Sequence, residues 1–329
     1  MSISRPLGNF WEVDSKSSFK ALALATFNLQ YQKNSVYRSF CDLINRNPSD
    51  VSAIEEIPHL PISFFKSKQV VSFDDELRNY FSSSATTGVV PSKHFYRNLT
   101  DYSISFTHGF ENIYGKISDY VFLALLPSYM ERKGSSLIFM VDEMIKKSNS
   151  AVSGFYLDNF EDLAQQIELL EARGQKTILL GVSFALLEFT QHHQFNLKNT
   201  IVMETGGMKG RRKEMTRAEL HQILREGFGC KKIHSEYGMT ELFSQAYSKG
   251  DGIFECPPWM RVSVRENQDP FQSLPLGHTG GLNIIDLANK DSCAFIATED
   301  LGKVHANNKF EVLGRFDHSE IRGCNLMVV

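Results

Sequence analysis

Apolar residues Phe19, Leu22, Ala23, Phe27 and Tyr31 recur at the interval of one helical face, which predicts a helix near the start of the chain. A second helix carries Val36, Phe40 and Leu43 to about Ile44, and Asn47-Pro48 breaks it. A loop punctuated by Pro58 and Pro61 follows. Beyond it, short apolar runs alternate with amphipathic stretches. Tyr120–Leu126 reads as a buried strand, followed by a helix near Ser136–Lys147. A helix over Phe160–Arg173 ends at Gly174, where a helix-terminating glycine belongs. Lys176–Leu180 is the next strand, with a helix over Phe184–His193. Asn199–Met203 is a third strand, and Thr216 caps a helix that ends near Gly227-Phe228-Gly229. This β–α alternation implies a mainly parallel sheet with helices on both faces.

From about Glu236 the rhythm changes. Trp259–Arg265, Gly281–Leu287, Cys293–Ala297 and Phe310–Leu313 are short strands separated by Gly, Pro, Asn and Asp turns. The expected organisation is an α/β core over residues 1–235 and a smaller β-rich subdomain over 236–317 packed on it. A short mobile tail, 318–329, carries Cys324.

Composition narrows the classes. A hydrophobic fraction of 42% and a charged fraction of 22% are those of a globular chain. The 25 phenylalanines suit a large apolar interior before they suit a ligand channel. The net charge of −3 and the shortness of the longest basic cluster, Lys209–Lys213, give no footing for nucleic acid or an acidic membrane surface. No apolar run approaches the roughly 20 residues of a membrane span. The N-terminus has no apolar signal-peptide region. Cys41, Cys230, Cys256, Cys293 and Cys324 lack CxxC spacing, so the expectation is reduced thiols and a cytoplasmic protein, without a zinc site. Cys41, Cys230 and Cys293 lie in or beside apolar segments and read as small core residues, and Cys256 as structural.

Four segments carry chemistry. Ser82-Ser83-Ser84-Ala85-Thr86-Thr87-Gly88-Val89-Val90-Pro91-Ser92-Lys93 offers hydroxyls, backbone N–H groups and a lysine charge to phosphate oxygens, without Walker spacing. Tyr237-Gly238-Met239-Thr240-Glu241 follows a strand, and a carboxylate beside a phosphate site is a natural Mg²⁺ ligand. Thr298-Glu299-Asp300-Leu301-Gly302 is read as lying just after an apolar strand, with Asp300 placed to accept from ribose hydroxyls. Leu313-Gly314-Arg315-Phe316-Asp317 offers an arginine after another strand. Each alone is weak, since a turn aspartate or a surface arginine is usually only that. Their order is specific.

In that order the segments resemble the motifs of the adenylate-forming superfamily of acyl-CoA ligases, peptide-synthetase adenylation domains and luciferase-like enzymes. The resemblance implies that superfamily's N-terminal-domain fold, with ATP and Mg²⁺ as cofactors. Residues 82–93 match its phosphate loop, with Ala85 where glycine is usual. Carried over residue by residue, Ser83, Ser84, Thr86, Thr87 and Gly88 would cradle phosphate, beside Lys93. Gly206 and Gly207 would line the adenine, and Tyr237 beside Gly238 would stack on it. Thr240 would hold the α-phosphate, Glu241 the Mg²⁺, and Asp300 and Arg315 the ribose.

Family members continue past the hinge motif into a mobile domain that supplies a catalytic lysine, whereas this sequence stops at Val329. Its ending, VLGRFDHSEIRGCNLMVV, resembles that of the acyl-protein synthetases of bacterial bioluminescence, the LuxE family, as do LLPSYMERKGSSLIFMVD and METGGMKGRRKE. That resemblance implies activation of a long-chain fatty acid as acyl-AMP, then transfer to the protein's own thiol, which here is Cys324. An acyl reductase, with or without an acyl-transferase subunit, would be the partner. Arg322 and His318 stand near Cys324 and are placed to raise its thiolate fraction. Two other readings stay open: a phenylacetate-type acyl- or aryl-CoA ligase, and a weakly active nucleotide-binding scaffold subunit.

Overall fold

The computed structural model describes residues 8–76, 78–83, 90–127, 134–157, 159–206 and 215–316. Two helices open the chain, α1 (Lys16–Lys33) and α2 (Ser35–Leu43). The Ser15 side chain caps α1 by accepting from the Ser18 N–H, and Asn34 caps α2 by accepting from the Tyr37 N–H. A short strand β1 (Leu60–Pro61), a single-turn helix α3 (Phe64–Ser67) and a hairpin of β2 (Asn79–Ser82) and β3 (Lys93–Tyr96) follow. Helix α4 (Thr100–Tyr114) leads into the alternating segment.

That segment runs β4 (Val121–Leu125), α5 (Ser136–Ser148), β5 (Gly154–Tyr156), α6 (Phe160–Ala172), β6 (Thr177–Val182), α7 (Ser183–His192), β7 (Thr200–Thr205), α8 (Arg217–Phe228) and β8 (His234–Tyr237). Its strands pair in parallel in the order β5-β4-β6-β7-β8. Every residue of β4 and β6 is buried, as expected of strands covered on both faces. The connection through α5 runs one way along the sheet, and those through α6, α7 and α8 run the other. Right-handed crossovers therefore place them on opposite faces.

The sheet does not stop at β8. Strands β9 (Ala246–Ser248), β10 (Ile253–Glu255), β11 (Met260–Arg265), β12 (Thr279–Asp286), β13 (Phe295–His305) and β14 (Lys309–Arg315) extend it antiparallel, in the order β8-β9-β10-β14-β13-β12-β11. Parallel pairing thus gives way to antiparallel at β8, where the sequence rhythm changes. The β1 strand joins in parallel beside β13, and the N-terminal helices cover this half through Phe27 and Tyr37, whose rings pack on Phe295.

Local chemistry sets several boundaries. Thr216 and Glu219 form a capping box at the start of α8. At its end Gly229 sits at φ +59, and a Cβ there would lie 2.2 Å from the Phe195 carbonyl oxygen, so only glycine fits. Both β13 and β14 are longer than their sequence predicted. β13 runs on through the TEDLG motif, so Asp300 lies inside a strand rather than just after one. Its buried positions alternate correctly, but they hold Thr298, Asp300 and Gly302, which hides the hydrophobic period. Likewise Arg315 is the last residue of β14 rather than the start of a loop.

Candidate active site

The carboxyl end of β8, the centre of β13 and the end of β14 bring Tyr237, Asp300 and Arg315 to one place. The β13–β14 register sets Asp300 directly opposite Arg315. Asp300 accepts at Oδ2 from the Tyr237 hydroxyl (2.7 Å) and at Oδ1 from Arg315 Nε (3.2 Å), while its own N–H donates to Thr298 Oγ1. Asp300 is 5% exposed, whereas the Arg315 side chain is largely open to solvent. Burial and the Asp300 carboxylate push the Tyr237 hydroxyl far above its ordinary range, so it stays protonated and donates. Phe310 meets the Tyr237 ring edge-on at 5.2 Å and Phe254 packs at 5.7 Å, leaving the tyrosine 8% exposed.

After Tyr237 the chain passes Gly238 and turns at Met239–Leu242, a turn closed by the Leu242 N–H on the Met239 carbonyl (3.1 Å). A Cβ at Gly238 would stand 2.5 Å from Glu236 Oε1, so any larger residue there requires that carboxylate to shift. Glu241 is buried, and burial raises its carboxyl above the usual range, opposed by a hydrogen bond with Ser92 and the charges of Arg315 and Lys66. Ser92 in turn donates its N–H to Ser83 Oγ (2.9 Å) and accepts the Ser83 N–H (3.1 Å), closing the neck of the phosphate-loop segment. Ser83, Ser92 and Glu241 thus form one hydrogen-bonded group and Tyr237, Asp300 and Arg315 another, with the Arg315 charge acting on Glu241.

A buried carboxylate short of positive charge suits a divalent cation. Mg²⁺ needs only one or two protein oxygens, and Glu241 fits that role. Among the described residues no cluster of three or more His, Cys, Asp or Glu side chains suits an all-protein metal site. Lys93 stands at the start of β3, exposed, with Nζ 4.9 Å from the centre of the Tyr80 ring. Gly206 follows β7 at φ +70, just past Thr205, which pairs with Glu236 of β8. Ser84, Thr86, Thr87, Gly88, Gly207 and Cys324 lie outside the described residues, as do Arg211, Arg212, His318 and Arg322.

The structure adds residues the sequence did not single out. Glu236 is buried and accepts from the Thr205 hydroxyl; burial pushes its carboxyl up to about 7, helped by nearby Glu204. For Glu204 burial acts the same way, but His221, Arg217 and Ser235 outweigh it and hold that carboxylate below the ordinary range. Arg217 Nη1 donates to Glu204 Oε1 (3.0 Å) and the Ser183 hydroxyl to Oε2 (3.2 Å). Glu236 also lines a small apolar cavity with Phe110, Met140, Met144, Met203 and Tyr247. The period-2 position of Glu236 beside Tyr237 was the available signal, but a carboxylate there reads as solvent-facing by default.

The acyl-protein synthetase LuxE family model matches residues 2–107. The long-chain-fatty-acid–luciferin-component ligase of Vibrio harveyi is 22% identical over 335 residues, covering 95% of this chain and 88% of that protein. The ATP-bound structure of MatB from Rhodopseudomonas palustris superposes with a TM-score of 0.55 at 17% identity, covering 73% of this chain and 48% of MatB. This chain thus spans about half the length of that solved relative. An open form of 2-hydroxyisobutyryl-CoA ligase, in complex with 2-HIB-AMP and CoA, gives a TM-score of 0.62 at 13% identity, over 94% of this chain and 72% of the ligase. Motifs, relative and architecture agree: the chain is similar to LuxE-type acyl-protein synthetases and has the fold of the adenylate-forming ligases.

Proposed function

We propose that this protein uses ATP to activate a fatty acid as acyl-AMP, then takes the acyl group onto its own Cys324 for delivery to a partner acyl reductase. The observation that carries the first half is the hydrogen-bonded Tyr237–Asp300–Arg315 set, with the Arg315 charge acting on buried Glu241, which bonds Ser92 at the neck of the phosphate loop. Two hydrogen bonds fix the Asp300 carboxylate, leaving lone pairs for ribose hydroxyls. Arg315 lies open beside it, placed for anionic oxygens. Thr240 lies on the turn between Tyr237 and Glu241, which supports its reading as the residue that holds the α-phosphate. Mg²⁺, when bound, neutralises phosphate charge and draws electrons from the bond that breaks. The protein's share is positioning: the carboxylate oxygen of the acid is held in line with the α-phosphorus while pyrophosphate leaves.

The acyl-AMP so formed is an acyl donor whose leaving group is AMP. A thiolate attacks its carbonyl carbon, the C–S bond forms, the C–O bond to AMP breaks, and the thiol proton passes to solvent or a nearby base. Support for Cys324 as that thiol is the similarity of residues 312–329 to LuxE-type endings. Supporting it indirectly, burial pushes Cys41 up to about 12 and raises Cys230, Cys256 and Cys293, which leaves them poor nucleophiles.

The test is incubation with ATP, Mg²⁺ and labelled long-chain fatty acid. Hydroxylamine-labile label is expected on the wild-type protein and absent from Cys324→Ser, while pyrophosphate exchange persists in both. Label retained by Cys324→Ser sinks the thiol assignment. CoA-dependent AMP release by that variant would favour a CoA ligase, and absence of exchange in the wild type would sink adenylation itself.

A further inference from the structure

Two parts of the site that the sequence separates by 146 residues meet through one imidazole. His94 follows Lys93 on β3 and is fully buried. Its Nδ1 lies 2.7 Å from the Thr240 carbonyl oxygen, and its Nε2 lies 2.9 Å from Asn289 Oδ1. Asn289, also fully buried, sends its amide N–H groups to the Glu241 carbonyl (2.8 Å) and the Cys293 carbonyl (3.0 Å). The two carbonyls that cross the acidic turn, Thr240 and Glu241, are thus each held by a buried side chain, and burial keeps the imidazole between them neutral, with its pKa lowered to about 4.

The assembly is anchored on both sides. Gln30 of α1 donates to the Asn289 and Lys290 carbonyls and accepts the Ala294 N–H, pinning the β12–β13 loop. The same loop begins at Asp286, which accepts from the Phe243 and Ser244 N–H groups just past the turn. Phe243 and Phe65 pack on the imidazole at 4.7 and 5.9 Å, so the ring has no room to swing. A backbone carbonyl only accepts, so Nδ1 is the donor in the Thr240 arm.

The geometry points to His94 as a positioning residue: through Nδ1 it sets the Thr240–Glu241 turn in register with the strand that carries Lys93 and the phosphate-loop neck. The inference rests on the adenylation reading for its activity readout alone. A shift of about 1 Å at a reacting group costs on the order of 100-fold in rate. The Nδ1 contact is the one that matters here, because it fixes the Thr240–Glu241 turn, whereas Nε2 only faces Asn289, which holds the Glu241 carbonyl.

Three variants separate the arms. His94→Asn places an amide nitrogen where Nδ1 was, keeping the Thr240 hydrogen bond, and His94→Gln places one where Nε2 was, toward Asn289 Oδ1, and loses the Thr240 hydrogen bond. His94→Ala has neither nitrogen. Both amide variants leave one amide in the same buried pocket in place of the ring, so their melting temperatures should fall together. Pyrophosphate exchange should stay within about tenfold of wild type in His94→Asn and drop on the order of 100-fold in His94→Gln and His94→Ala, mainly in kcat. Hydrogen exchange of residues 238–245 gives a readout that needs no turnover: protection is expected in wild type and His94→Asn and reduced in the other two. Equal exchange protection in the Asn and Gln variants overturns the inference, as does activity that follows melting temperature across all three. If the wild type shows no pyrophosphate exchange, adenylation fails and the hydrogen-exchange pattern alone decides the role of His94.

Discussion

Glu236 offers a test of the buried polar layer under the nucleotide motif. Its carboxyl is pushed up to about 7, first by burial and then by Glu204, against the opposing hydrogen bond from Thr205. A carboxyl with a raised pKa binds its proton more tightly in the folded protein than in the unfolded chain. Stability from that group is therefore greatest in acid and is lost as pH rises from the unfolded value toward 7. A rise from 4.5 to about 7 corresponds to roughly 3 kcal/mol, nearly all of it lost by about pH 8. Glu236→Gln keeps the shape and an acceptor for the Thr205 hydroxyl but cannot ionise. Urea unfolding followed by the fluorescence of buried Trp259 should give nearly parallel behaviour of the two proteins in acid. Their stability difference should then move in favour of Glu236→Gln by about 2–3 kcal/mol between about pH 5 and pH 8. Any cost from the new amide donor is independent of pH and shifts the whole difference without changing its slope. Wild-type and variant curves that stay parallel across this range would refute a buried, proton-retaining Glu236.

Three further outcomes follow from the same geometry. Asp300→Ala removes the acceptor of Tyr237 and Arg315 and should weaken ATP binding about tenfold or more by calorimetry, with Asp300→Asn intermediate because it still accepts from the tyrosine. Glu241→Gln should raise the Mg²⁺ concentration needed for half-maximal pyrophosphate exchange by at least about tenfold; an unchanged requirement would remove Glu241 from the metal site. Gly229→Ala, forced into a left-handed conformation and against the Phe195 carbonyl, should cost at least about 2 kcal/mol in thermal unfolding while leaving ATP affinity per folded molecule intact.

The alternating half of the fold was legible because its signals are local. Strands β4, β6 and β7 are continuous apolar runs, helices α6 and α8 carry their stop and cap residues in sequence, and these fall within two residues of their predicted bounds. Elements whose stabilisation comes from elsewhere were harder to read. The α4 helix lacks a side-chain cap, and β9 and β10 are three residues each, held by neighbours distant in the chain. The central part of β13 was hidden because its buried positions hold Thr298, Asp300 and Gly302 rather than apolar side chains.

The sequence by itself determined the parallel α/β half, the identity of the motif residues and their order, because cap, turn and hydrophobic period act over a few neighbours. Tertiary structure alone decided that the parallel and antiparallel strands share one sheet, and that Asp300 faces Arg315 across a β ladder while accepting from Tyr237. It alone showed His94 and Asn289 holding the acidic turn and Glu236 lying buried beneath it. Those residues have no local signature: a lone histidine or asparagine gains its meaning from the acceptors that distant strands bring to it, and a carboxylate gains its pKa from the burial that only packing provides.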